Sequence, residues 1–448
     1  MNPTPVDQTR ARVSACMPEI RSELERLVHV PSVSADGFDP QEVRRSATLT
    51  AELLEARGLR TRLLEVEGAH PAVLATRAAP PGMPTVLLYA HHDVQPTGPV
   101  ELWQTDPFSP EERDGRLFGR GSSDDKAGIV IHTGTLRAWD DAPPVGITVL
   151  VEGEEEIGSL HLTEFLDAYA DLLRADVVIL ADSGNWSVGR PALTTSLRGL
   201  VDCVVEVRTL DHAVHSGEFG GVAPDALIAL SRVLSSLHDD DGNVAVPGLV
   251  ETDADPLDLT EDEIRDWAGI RPGVRLIGRG SLTSRTWTRP AVSVLGIDAP
   301  AIREATNQLV PSARAKVSMR LAPGQDPEAA AAALAEHLRS HAPWGAEVTV
   351  TDGAGASPSH VVTEGAAYDA VRRAFADAWG VAPVEQGTGG TIPLVAAFMA
   401  RYPHAAMLLT GAGDPTSNPH SENESVDLDD LERSVVAEAL FLGNLAEG

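Results

Sequence analysis

Apolar residues recur every three or four positions from Val6 to Val28, the stripe of an amphipathic helix, until Pro31 halts the pattern. Asp39-Pro40-Gln41-Glu42 then reads as an N-cap, a first-turn proline and a capping-box glutamate, opening a second helix that Gly58 closes. Short β-type runs follow at 61–66, 72–76 and 85–90. The runs from Gly146 to Val151 and from Asp176 to Ala181 are apolar and β-branched, as in strands buried on both faces, and a helical stretch at 160–173 separates them. This alternation predicts an α/β sheet covered on both sides.

From about 198 the order changes to strand (200–208), helix (224–238), strand (291–297), strand (313–321), helix (326–340) and strand (346–351). That is the β-α-β-β-α-β order of a ferredoxin-like α+β unit. Asp326 caps its second helix and Pro327 takes the first turn. The acidic stretch 239–259, followed by the small capping box Thr260–Glu263, reads as a surface excursion. After about 357 a helix (364–379), a strand (404–409) and a terminal helix (427–445) return to the first pattern. The expected organisation is therefore a discontinuous α/β domain, 1–197 and 358–448, with 198–357 inserted into it. No internal repeat is visible.

Length supports this division, because 448 residues exceed the size at which a single core keeps growing. A net charge of −31 repels phosphate backbones and anionic lipid surfaces, so neither nucleic acid nor membrane is an expected partner. Cys16 and Cys203 are too few for a disulfide framework and read as inert core residues. The charged N-terminus has no apolar core of signal-peptide type, and no run approaches the roughly eighteen apolar residues of a membrane span, so the cytoplasm is expected.

Against that background five polar clusters fall at strand ends or in loops. His91-His92-Asp93 closes an apolar run; an imidazole there binds a metal, and the aspartate two residues on can orient the ring, although His-x-Asp is more often a surface hydrogen bond. Gly119-Arg120-Gly121-Ser122-Ser123-Asp124-Asp125 brings two carboxylates to one glycine-rich turn, otherwise read as solvated charge. Glu154-Glu155-Glu156 follows a buried strand, and like charges so placed need a cation or water to offset them. Asp182 ends the run Val177–Ala181, and His420 lies in a polar loop before the last helix. Two histidines with several carboxylates suit zinc, cobalt or manganese, and not a structural zinc, which favours cysteine.

In the order and spacing of these motifs the chain resembles the carnosinase-type dipeptidases of the di-zinc peptidase superfamily, relatives of acetylornithine deacetylase and succinyl-diaminopimelate desuccinylase. The likeness runs from Val30-Pro31-Ser32-Val33-Ser34 to the His420 loop. It implies a catalytic di-zinc peptidase domain with an inserted lid through which two copies dimerise. It further implies that His91 and Asp182 bind one metal, Glu156 and His420 the other, that Asp124 bridges them and that Asp93 orients His91. The family's Glu-Glu-x-Gly-Ser pattern selects Glu155 as general base, leaving Glu154 without a role. His212-Ala-Val-His215-Ser216-Gly217 resembles the family's His-Ser-Gly segment, whose histidine, here His215, steadies the oxyanion and often reaches a neighbouring subunit's site. Arg320 matches an arginine that holds the substrate's terminal carboxylate, and Gly389-Gly390-Thr391 a loop approaching the same end of the peptide. Ala90 and Ala127 stand where glycine is common, so positive φ there would be strained.

The implied reaction is hydrolysis of a small peptide by a water held between two divalent ions, zinc foremost, with Glu155 carrying the proton. The nearest rival is an N-acyl amino acid deacylase using the same metals, against which the Trp103–Phe108 and Phe219-Gly220-Gly221 segments favour the dipeptidase branch. A non-catalytic protein that keeps the fold is opposed by the complete ligand set. A serine hydrolase fails because no Gly-x-Ser-x-Gly elbow occurs.

Overall fold

The computed structural model describes residues 4–447. They form two compact units: the chain up to Thr195 with Val361–Gln386 and the chain from Ile392 onward, and Ser196–His360 with Gly387–Thr391.

The first unit is built on a mixed sheet. Its strands lie in the order Arg60–Leu64, Ala72–Arg77, Gly146–Glu152, Thr85–His91, Val177–Leu180, Ala406–Leu409 and Ala192–Leu197, the last also pairing with Val384–Thr388. The central strands Gly146–Glu152, Thr85–His91, Val177–Leu180 and Ala406–Leu409 run parallel. Every residue of Gly146–Glu152 is buried, so both faces are covered, as its unbroken apolar run anticipates. His91, Glu152, Leu180 and Leu409 end these strands at the edge where open α/β sheets bind ligands.

The helix Pro5–Val28 starts at a capping box between Thr4 and Asp7, and Asp39 caps Pro40–Glu55. Between Pro5–Val28 and Leu428–Ala446 runs the helix Lys126–Ala138, absent from the pattern reading. All of it but Arg137 is buried, so it has no polar face and no helical alternation to detect. A Cβ on its Gly134 would meet Ile20 at 2.8 Å and Val435 at 3.0 Å, which is why the three helices approach so closely. The short three-stranded sheet of Glu111–Arg113, Arg116–Phe118 and Ser425–Asp427 and the helix Pro393–Arg401 were likewise unmarked by apolar period, and the helix expected over 160–173 shortens to Leu162–Tyr169.

The second unit has a four-stranded antiparallel sheet in the order Ala291–Asp298, Ser312–Leu321, Gly199–Arg208, Glu347–Ala356, with the helices Ala226–Ser235 and Pro327–Ser340 packed on it. Alternate residues of Gly199–Arg208 are buried, the signature of a sheet with one covered face. The core under the helices holds Val201, Val205, Val317, Leu230 and Leu334. The stretch 239–259 is only partly a surface excursion, since Val246 joins that core and Leu249 packs against it. Thr260 and Glu263 form the expected capping box of Glu261–Trp267. Cys203 is buried, whereas Cys16 is half-buried rather than a core residue. Neither Ala90 nor Ala127 has positive φ, so the anticipated strain is absent there.

Candidate metal centre

His91 ends its strand fully buried, with Nε2 3.0 Å from Asp124 Oδ1 and 3.8 Å from Asp182 Oδ1, the latter just beyond the adjacent strand. His420 reaches in from its loop, with Nε2 3.0 Å from Asp124 Oδ2 and 3.2 Å from Glu156 Oε2. The Asp124 carboxylate thus faces a different imidazole with each oxygen. His420, Asn418 and Asn423 have φ of +61°, +52° and +58°, a left-handed conformation that side chains rarely adopt and that bends this loop back toward Asp124. Gly121, at φ +83°, serves the opposing turn: a Cβ there would lie 2.6 Å from Val94.

The supporting contacts exceed those the motifs suggested. Asp93 lies with Oδ1 3.4 Å from His91 Nδ1, while its main-chain oxygen is nearer, at 3.1 Å. Its carboxylate also accepts from the amides of Glu155 and Glu156 at 3.3 and 3.0 Å and from Ser34 Oγ at 2.7 Å, so it holds the glutamate turn. Gln95, unremarked in the sequence, donates its amide to Glu156 Oε1 and its side chain to Oε2 at 3.1 and 2.8 Å. Glu154 points elsewhere: it accepts from the His70 amide at 2.8 Å and pairs with His161 Nδ1 at 2.9 Å. Of the three consecutive glutamates, Glu154 is thus the one engaged by His70 and His161. Glu424, also unremarked, is completely buried and accepts from the Ser123 and Asp124 amides at 2.9 and 3.0 Å. A lone glutamate before a strand carries no sequence signal for such a contact.

Charge is unbalanced in this cluster. Burial, then the charges of Asp182, Glu156 and Asp124, push the Glu155 carboxyl well above the usual range against the pull of His91. Burial and Asp124 raise Glu156 to about 7, and burial raises Asp182. Burial acts the same way on Asp124, but hydrogen bonds from His420 and His91 outweigh it and hold the carboxyl below its ordinary value. Two imidazoles cannot offset this many buried carboxylates, and a divalent cation can.

The donors fit such ions. His91, Asp124 and Glu156 offer ligand atoms within 4.8 Å of one another, as do His91, Asp125 and Asp182. Asp125 is the second carboxylate of the glycine-rich turn, to which the resemblance assigns no ligand role. Its oxygens already accept from the His91 and Gly128 amides, at 3.3 and 3.2 Å, as an N-cap of the helix Lys126–Ala138, whereas Asp124 turns both oxygens to imidazoles. Carboxylates with imidazole and no thiolate suit zinc, manganese or cobalt.

The remaining candidates belong to the second unit. His215 is exposed and its Nδ1 accepts from the Gly217 amide at 3.1 Å. Arg320 donates to Thr391 Oγ1 at 2.9 Å, and Thr391 donates to the Arg198 carbonyl at 2.6 Å. Gly390 is exposed beside them. Arg198, missed in the sequence, is buried, and a Cβ on Gly389 would lie 2.9 Å from its guanidinium. Burial and the charge of Arg320 lower that guanidinium to about 10.

Residues 87–444 match peptidase family M20/M25/M40, and the chain belongs to that family. It is 37% identical over 368 residues to a cysteinylglycine-S-conjugate dipeptidase of Corynebacterium striatum, covering 80% of each chain. It is 29% identical over 432 residues to a beta-Ala-His dipeptidase of Rattus norvegicus, covering 88% of this chain and 87% of that one. Its fold is similar to that of human carnosine dipeptidase 1, with a TM-score of 0.87, 25% identity and 100% of both chains covered.

Proposed function

We propose that the protein is a metallodipeptidase that hydrolyses the peptide bond of small peptides. His91 and Asp182 hold one divalent ion, Glu156 and His420 a second, and Asp124 serves both; zinc is the first choice, with manganese or cobalt as substitutes. The observation that carries this reading is the division of the Asp124 oxygens between His91 and His420, each 3.0 Å away. When bound, such ions supply a water acidified toward a pKa of about 7 and polarise the scissile carbonyl.

The chain's own residues do the rest. Glu155 takes the water's proton and returns it to the leaving amine; its carboxylate makes no hydrogen bond to another described residue that would hold it from that task. Asp93 keeps His91 and the glutamate turn in place. Arg320, with Thr391 and Gly390 beside it, receives the peptide's terminal carboxylate, and His215 stabilises the oxyanion. The second unit acts as a lid and joins two copies into a homodimer. No described helix is long and apolar enough to cross a membrane, and we place the protein in the cytoplasm.

The dipeptidase names of its relatives support dipeptides over N-acyl amino acids as substrates. The test is chelation followed by zinc add-back, assayed on cysteinylglycine, β-alanyl-histidine and other dipeptides beside N-acetyl and N-succinyl amino acids. Dipeptide cleavage should vanish with the metal and return with it. Cleavage that survives complete metal removal, or acts on the acyl compounds alone, overturns the proposal.

A further inference from the structure

We infer that Glu424 is a positioning residue of the metal centre: through the backbone of the Asp124 turn it keeps the two oxygens of Asp124 divided between His91 and His420. This rests on the reading of Asp124 as the shared ligand.

Four donors converge on this one carboxylate. Oε2 accepts from the Gly121 amide at 2.9 Å and from Arg120 Nη1 at 2.6 Å, while Oε1 accepts from the Ser123 and Asp124 amides at 2.9 and 3.0 Å. The Glu424 side chain is fully buried and Arg120 nearly so. Amides that point inward without water need an acceptor, and here one side chain serves three of them. Among the described residues no other side chain is bonded to the Asp124 amide, so Glu424 fixes where that residue's Cα sits.

Its own position is tied to the other ligand loop. Its carbonyl accepts from the Gly119 amide at 2.9 Å, and the following strand Ser425–Asp427 pairs with Arg116–Phe118. Arg120 completes the clamp by donating to the Ser421 and Pro96 carbonyls, both at 3.1 Å. Ser421 follows His420, and Pro96 follows Gln95, the residue bonded to Glu156. One buried ion pair therefore links the turns bearing Asp124, His420 and the support of Glu156. It touches no proposed ligand atom, which separates positioning from coordination.

A buried ion pair can also be merely structural, so a control of the same kind is needed. The same unit supplies it: Glu438 pairs with His132 Nδ1 at 2.9 Å, both buried, and neither side chain bonds a residue of the Asp124, Glu156 or His420 turns, His132 Nε2 meeting the Tyr89 carbonyl at 3.0 Å instead. Zinc affinity of the full chain is measured by competition with a chromophoric chelator, alongside urea unfolding of the metal-free protein. Glu424→Gln should lower zinc affinity about ten- to hundredfold, while Glu438→Gln lowers stability and leaves zinc affinity at the wild-type value. If Glu424→Gln does not fold, Glu424→Asp decides: it keeps the charge but is too short to serve both ends of the turn, and should lose affinity in the same direction. Wild-type affinity in whichever Glu424 variant folds overturns the inference. Wild-type protein that binds no zinc overturns the assignment of the site itself, and this inference with it.

Discussion

His420 Nε2 and Asp124 Oδ2 lie 3.0 Å apart, joining a loop near the end of the chain to a turn in its first third. This contact, with that of His91 to the other oxygen of Asp124, makes one carboxylate the meeting point of two imidazoles. Each element around it is individually ordinary. Their convergence is what brings the candidate ligands together.

Glu155→Gln should retain the metals and lose turnover by about a hundred- to ten-thousandfold, the usual contribution of a positioned proton carrier. The substitution removes no proposed ligand and no hydrogen bond made by the side chain. Metal analysis beside kcat checks it, and an active variant would move the base to another residue.

His215 lies outside the ligand set, so His215→Ala should keep the metals while kcat falls by about a hundred- to a thousandfold. If His215 serves the site of a partner subunit, mixing this variant with Glu155→Gln should restore activity above that of either alone. No recovery in exchanged hybrids would place its action within its own chain or outside catalysis.

Arg320→Ala should raise KM for dipeptides about ten- to hundredfold, the scale of losing a hydrogen bond between charged groups. C-terminally amidated peptides, lacking the carboxylate, should respond much less. Arg320→Lys should recover little, because the ammonium cannot reproduce the planar fork that reaches Thr391. Equal losses on both substrate types would remove Arg320 from carboxylate recognition.

The buried His132–Glu438 pair predicts a pH dependence of stability. Burial tends to lower the His132 pKa, but the charge and hydrogen bond of Glu438 and the Tyr89 carbonyl outweigh it, and the net shift is upward. Both ring nitrogens face acceptors, Glu438 at 2.9 Å and Tyr89 O at 3.0 Å, which suits an imidazolium. Since the folded value lies above the unfolded one of about 6.5, the pair's contribution is complete below that pH and is lost as pH rises through the folded value. In urea unfolding of the metal-free protein, the stability gap between wild type and Glu438→Gln should therefore be widest near pH 6 and narrow on the alkaline side. A constant gap would mean that His132 does not titrate with the pair.

Much of this protein is written in local pattern. The apolar runs at 85–90, 146–151 and 176–181 announce strands buried on both faces, because parallel strands with covered faces need no polar alternation. Asp39-Pro40 and Asp326-Pro327 announce helix starts, because their caps are satisfied within a few residues. The motifs around His91, Asp124, Glu155, Asp182 and His420 lie at strand ends and turns for the same local reason. Tertiary structure alone decided the rest. The helix Lys126–Ala138 is hidden because burial on all sides erases its period. Gln95, Arg120 and Glu424 are hidden because their partners come from distant segments, Glu424 reaching the Asp124 amide across 300 positions, and no spacing rule records such a contact. Glu154, one of three identical neighbours in sequence, is turned away only by the packing of His70 and His161 against it. Sequence fixes which groups are available and where strands present them, whereas their pairing in space depends on how the whole chain folds back on itself.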